Sequence, residues 1–234
     1  MSQSRFPYRI ERTKNRHSRA VLKGNTVVVR LARNLSATEE HTHIEDLLRR
    51  MKRQLLLSRE KVTIDPFRPL LEGFPSHTIR LSSGEEYLFS LVPSTRTGKR
   101  KTPEGWEIRI SPHTKKPALH RLLWSTLSFA QLPTIETLIR QVNERTLQVE
   151  IHNVRLHIAS SQWGSCSSQG TIALNTALLF VPQELLEYVI VHELAHRKHP
   201  HHSRSFWECV GKAYPHYEEA RRELRQYRLP ILSS

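Results

Sequence analysis

Two cysteines, Cys166 and Cys209, among 234 residues are too few for a disulfide framework and form no C-x-x-C pair. They read as free thiols of a reducing compartment. No apolar run approaches the roughly 20 residues of a bilayer-spanning helix. Met1 to Arg19 is basic and polar, unlike a secretory leader. The expected location is therefore the cytoplasm, with no membrane partner. There is no internal repeat and no low-complexity tract, nor a P-loop or a carboxylate cluster suited to Mg²⁺. Methionine is reduced to Met1 and Met51.

Acidic residues are also short, 22 against 36 Lys and Arg, which leaves a formal charge of +14. Residues 1 to 61 carry 15 of those cations against 6 carboxylates. Such a field attracts polyanions, so nucleic acid, nucleotides and acidic protein surfaces are candidate partners. A solvated basic face with no specific partner explains it equally well, and no nucleic-acid module is legible.

A hydrophobic content of 38% is enough to build a real core in a chain of this length. The patterning predicts an α+β fold. Residues 1–115 form a basic, β-rich N-terminal region with one long helix, and residues 116–234 a second domain. In the first, Arg19–Leu22 and Thr26–Arg30 flank Lys23-Gly24-Asn25 as a hairpin. Ser36 or Thr38 caps a helix to about Ser58, with Ile44, Leu47, Leu48, Met51 and Leu55 as its buried face. Strands follow at His77–Leu81, Tyr87–Val92 and Trp106–Ile110, with Thr95–Gly105 as a mobile loop. In the second domain, helices are expected over Pro117–Phe129 and from Pro133 or Thr134 to Arg145. Strands come next, near Val149–Ala159 and Thr171–Asn175. Pro182 to about Lys198 and Ser203 to Gln226 are then helical.

The chemistry concentrates in Val191-His192-Glu193-Leu194-Ala195-His196, an H-E-x-x-H. Residues four apart lie on one helical face, so both imidazoles can reach one ion. Leu185, Leu186, Val189, Ile190 and Leu194 supply the apolar side of that helix, and Pro182 suits its first turn. Glu193 stands beside the first ligand, placed to contact a water on the metal rather than the metal itself. On its own the motif also describes a helix with surface histidines. A catalytic zinc, however, takes three protein ligands and keeps one open position.

His199 continues the same face, but seven residues is about 10 Å along a helix axis. The chain must therefore turn first, and Pro200 ends the hydrogen-bond ladder. That leaves His201 or His202. His202 lies at the ten-residue offset of H-E-x-x-H-x-x-G-x-x-H metalloproteases, although His199 stands where that pattern has glycine. With no methionine downstream there is no Met-turn, so the site is zincin-like but not that of a metzincin.

The segment Gln162-Trp163-Gly164-Ser165-Cys166-Ser167-Ser168, then Ile172-Ala-Leu-Asn175, then His192 to Ser203 with Phe206-Trp207, resembles the YgjP-like metallopeptidase family. Its more distant relatives are the SprT-like and Wss1-like zinc proteases. The likeness is strongest from His157 to Tyr217 and weaker over nearly the whole chain. It implies a zincin-like C-terminal domain, with His192, His196 and His202 holding Zn²⁺ and Glu193 as catalytic base. It also implies that Ile172, Ala173, Leu174 and Asn175 form a strand that pairs extended substrate. Relatives usually carry arginine where this chain has Gln162.

Cys166, Trp163 and Trp207 read as packing residues; Tyr214, His216 and Tyr217, which follow the ligand helix, read first as packed, with a transition-state hydrogen bond as the alternative. The expected activity is that of a zinc metallopeptidase acting on protein or peptide. The alternatives are a metal-dependent nucleoside triphosphate pyrophosphohydrolase and a nucleic-acid-associated protein anchored by its basic N-terminal region.

Overall fold

The computed structural model describes residues 7–23, 26–59 and 61–231, with the backbone alone for 52–59. The chain resolves into two compact units, Met1–Lys61 and Val62–Ser234.

In the first unit, β1 (Tyr8–Arg12), β2 (Arg19–Lys23) and β3 (Thr26–Leu31) form a sheet ordered β1-β3-β2. The expected hairpin is the antiparallel β2–β3 pair, and β1 runs parallel to β3. The hairpin tip, Gly24 and Asn25, lies outside the described residues. Helix α1 (Ala37–Arg59) begins at a capping box. The Glu39 N–H donates to Ser36 Oγ at 3.3 Å, and the Ser36 N–H donates to Glu39 Oε2 at 2.8 Å. Ile44, Leu47, Leu48 and Met51 cover Val27, Val29 and Leu31, the apolar faces that both patterns marked. The Leu55 side chain lies outside the described residues.

The second unit is α+β. It opens with β4 (Val62–Thr63) and α2 (Arg68–Glu72). Next come β5 (Ser76–Arg80), β6 (Glu86–Pro93), β7 (Gly98–Lys101) and β8 (Gly105–Ile110), a sheet ordered β5-β6-β8-β7. Within the stretch expected as a mobile loop, Gly98–Lys101 is therefore an edge strand. Lys99, Arg100 and Lys101 hide it from an apolar count, and cationic residues are what protect such edges. Arg100 pairs with Glu107 at 2.9 Å, and Lys99 Nζ stands 4.6 Å from the Phe129 ring centre.

Phe67, Phe89 and Trp106 share one core with Leu123 and Trp124, so the boundary expected near residue 115 falls inside this unit.

Helix α3 (Lys116–Arg145) is continuous, where two helices were expected. Pro133 withholds only one N–H, and the carbonyl it deprives belongs to Phe129, whose side chain is exposed. Packing on both sides of that turn, through Leu127, Ile135 and Ile139, holds the helix together. After it come β9 (Asn153–His157), β10 (Gly164–Cys166) and β11 (Thr171–Asn175), then a 3₁₀ turn over Thr176–Phe180.

Helix α4 (Gln183–Ala195) buries residues all around its circumference, including Leu185, Val189, Ile190 and Leu194, as a central helix does. Pro182 sits at its N-cap rather than inside its first turn. The last expected helix is two, α5 (Arg204–Ala213) and α6 (Tyr217–Leu224), separated at Pro215. Strand β12 (Tyr227–Arg228) closes the unit in parallel with β4.

Candidate metal centre

Helix α4 ends at Ala195, with His196 as its C-cap. The chain then tightens, the Arg197 N–H donating to the Leu194 carbonyl and the Lys198 N–H to that of Ala195. Past Pro200, the Ser203 N–H turns back onto the His201 carbonyl at 2.7 Å. Ser203 Oγ then caps α5 by accepting from the Phe206 N–H. This stop, turn and restart brings His202 back over the end of α4.

His192, His196 and His202 each offer a ligand atom, all within 4.8 Å of one another. His201 and His199 stand outside this group, so of the two residues that chain geometry left open, His202 is the one that joins. His192 Nε2 and His202 Nε2 lie 3.0 Å apart. Two ligands of a tetrahedral zinc with bonds of 2.0–2.1 Å stand roughly 3.3 Å apart, close to this spacing. The His196 Nδ1–H donates to the His199 carbonyl at 3.2 Å, leaving Nε2 as the free donor atom, as metal-bound imidazoles are usually held. The backbone of residue 199 does this, so histidine serves there as well as glycine. His192 Nδ1 is buried with no hydrogen-bond partner among the described residues. The residues fit a zinc ion in donor type, number and spacing.

Phe206 forms the floor. It is fully buried, with its ring centre 5.0, 4.6 and 4.8 Å from those of His192, His196 and His202. Trp207 stacks on His202 at 5.6 Å, Tyr217 stacks on Trp207 at 5.5 Å, and the Arg221 guanidinium stands 4.6 Å from the Trp207 ring centre. The sequence offered Phe206 only as part of a resemblance and read Trp207 as a packing residue, without placing either beside the histidines. Phe206→Ala is expected to cost about 3–5 kcal/mol of stability, measured by denaturant unfolding.

Burial governs the electrostatics. It holds the His192 imidazole down to about 3, helped by the neighbouring His196 and His202. It pushes the Glu193 carboxyl up to about 8. Neutral imidazoles are the form that binds metal, and a dication would shift the carboxyl back toward its anion. Burial also raises the Cys166 thiol, as befits a packing residue rather than a nucleophile.

Tyr214 and Tyr217 are otherwise engaged. The Tyr214 hydroxyl donates to the Glu184 carbonyl at 3.0 Å and that of Tyr217 to Glu218 at 3.2 Å. His216 is exposed, 3.6 Å from Glu219.

The strand expected to pair substrate needs correction. Strand β11 lies in the middle of the order β10-β11-β9, antiparallel to β10 and parallel to β9, so neither of its edges is free. Ile172, Leu174 and Asn175 are fully buried. Asn175 is a staple: its Nδ2 donates to the Ala159 and Gln162 carbonyls, and its Oδ1 accepts from the Ala177 N–H. An apolar strand with a polar last residue is the pattern of a central strand, which the resemblance alone did not distinguish. The Gln162 contribution is its carbonyl, independent of the side chain.

β10 and β9 are the edge strands of this sheet, and β10 is the one beside α4. The Asn175 N–H donates to the Trp163 carbonyl and the Ser167 N–H to that of Thr171. Antiparallel alternation therefore turns the N–H and C=O groups of Gly164 and Cys166 away from β11.

Two histidines a helical turn apart, a third folded back onto them and a buried glutamate between are the constellation of a metal-dependent hydrolase. More narrowly, the chain belongs to the YgjP-like metallopeptidase domain family, whose pattern matches residues 15–227. Among solved structures it is similar to the zymogen of the metallopeptidase abylysin from Pyrococcus abyssi. Identity is 29%, over 41% of this chain and 99% of that one, with a TM-score of 0.37. No curated protein gives a match.

Proposed function

We propose that this chain is a zinc-dependent peptidase in which His192, His196 and His202 hold the ion and Glu193 is the general base. The observation that carries the reading is the convergence of three imidazole ligand atoms within 4.8 Å, with the glutamate that follows the first of them in the chain buried to 5% exposure. Zinc, when bound, supplies a Lewis acid that acidifies a coordinated water and polarises the scissile carbonyl. Glu193 would be the group that accepts a proton from the attacking water and hands it to the leaving amine. The outward N–H and C=O groups of Gly164 and Cys166 can add an extended peptide as a further strand, the role the resemblance had lent to residues 172–175.

Nothing at the site favours the nucleotide or nucleic-acid alternatives: among the described residues no carboxylate joins the three histidines as a ligand. Full-length protein incubated with casein is expected to release peptides, to stop with chelator and to resume with zinc. The same protein given nucleoside triphosphates is expected to leave them intact. Release of pyrophosphate without peptides would overturn the peptidase reading.

A further inference from the structure

A Cβ built on Gly164 would lie 2.7 Å from Glu193 Oε1, 2.8 Å from its Cγ and 3.0 Å from its Cδ. Real Cβ atoms essentially never come that close. Gly105 meets a comparable clash, but against backbone and at a φ of +155° that already favours glycine. Gly164 lies in ordinary strand backbone, paired opposite Leu174, and has no positive φ. Conformation therefore does not require glycine there. Space does, and the group filling that space is the side chain of the proposed general base.

Glu193 cannot simply move aside. It is 5% exposed and sits on α4 among Val189, Ile190 and Leu194, all buried. A well-packed interior accommodates an added methyl only by off-rotamer side chains or backbone shifts. The backbone of β10 likewise has little freedom, being laddered to β11 on one side. The rigid strand thus acts as a wall whose missing side chain leaves a recess for one carboxylate.

We infer that Gly164 is a positioning residue: its bare Cα sets where the Glu193 carboxylate rests relative to the three histidines. The inference deepens the peptidase reading and rests on it for the catalytic consequence, but the packing itself does not depend on any activity. Gly164 is also one of the two residues whose peptide groups face the free edge of β10. One residue therefore touches the base with its Cα and offers its amide to the edge, linking the two in a fixed register.

The test is Gly164→Ala in the full chain, alone and combined with Glu193→Ala. The zinc-loaded single variant is expected to keep one zinc per chain. Its kcat should fall about 10- to 100-fold with KM changed less than about threefold, the signature of a displaced catalytic group rather than lost binding. Thermal unfolding of the metal-free proteins supplies a readout independent of turnover. Gly164→Ala is expected to lower Tm in the Glu193 background and to leave it nearly unchanged where Glu193→Ala has emptied the recess.

Equal destabilisation in both backgrounds, or a double variant that does not fold, would overturn the inference. An unchanged kcat alongside a lowered Tm would overturn the positioning role. If casein cleavage is absent from the parent protein, the peptidase reading fails while the unfolding cycle still decides the packing.

Discussion

Glu193→Gln is expected to lower kcat by about 10²–10⁴-fold while leaving zinc at one per chain, the range that loss of a general base commonly costs. The amide keeps the length and volume of the carboxylate, so the recess at Gly164 stays filled and the histidines keep their places. What disappears is proton acceptance.

Metal-free protein supplies a second reading with a definite sign. In the fold the carboxyl titrates near 8, against an ordinary 4.5 in the unfolded chain, because burial penalises its charged form. Between those values unfolding releases a proton, so the Glu193 contribution to stability falls as pH rises from about 4.5 to about 8. Buried His192, held near 3, contributes the opposite slope between about 3 and 6.5, so the difference between wild type and Glu193→Gln isolates the carboxyl. The Gln variant lacks this slope and is expected to be the more stable of the two near pH 8, by chemical denaturation in chelator. A variant that keeps wild-type kcat would remove Glu193 from the mechanism.

His202→Ala is expected to weaken zinc binding by more than about 100-fold, beyond what losing an outer hydrogen-bond partner of a ligand costs. A 100-fold loss withdraws about 2.7 kcal/mol of zinc-linked stabilisation. Zinc should therefore raise the Tm of the parent chain and barely move that of the variant. His202 is exposed, so the metal-free Tm should change little. His201→Ala is the control and should bind zinc as the parent does. If His202→Ala keeps its zinc and His201→Ala loses it, the turn after Pro200 presents the other imidazole to the ion.

Much of this site was written locally. The i, i+4 histidines need only a helix, which the apolar residues of 185–194 enforce. Pro200 needs no partner to end it, and Ser203 and Ser36 announce the next helices through their own side-chain oxygens. The hairpin of residues 19–30 and the helix after it followed from alternation and capping for the same reason.

The misreadings share a different cause. Whether Pro133 breaks a helix depends on what packs on either side of it. Whether Gly98–Lys101 pairs as a strand depends on the neighbour β8. Whether β11 offers an edge depends on β10, three residues too short to show a period.

The sequence alone therefore determined the chemistry and spacing of the candidate ligands and the stop that turns the chain toward His202, because each depends on contacts within a few residues. The ten-residue offset and the resemblance already pointed to His202; only the tertiary structure moved the open strand edge to Gly164 and Cys166 and set the bare Cα of Gly164 against Glu193. Those depend on residues far apart in the chain meeting at van der Waals distance, and no local pattern encodes that.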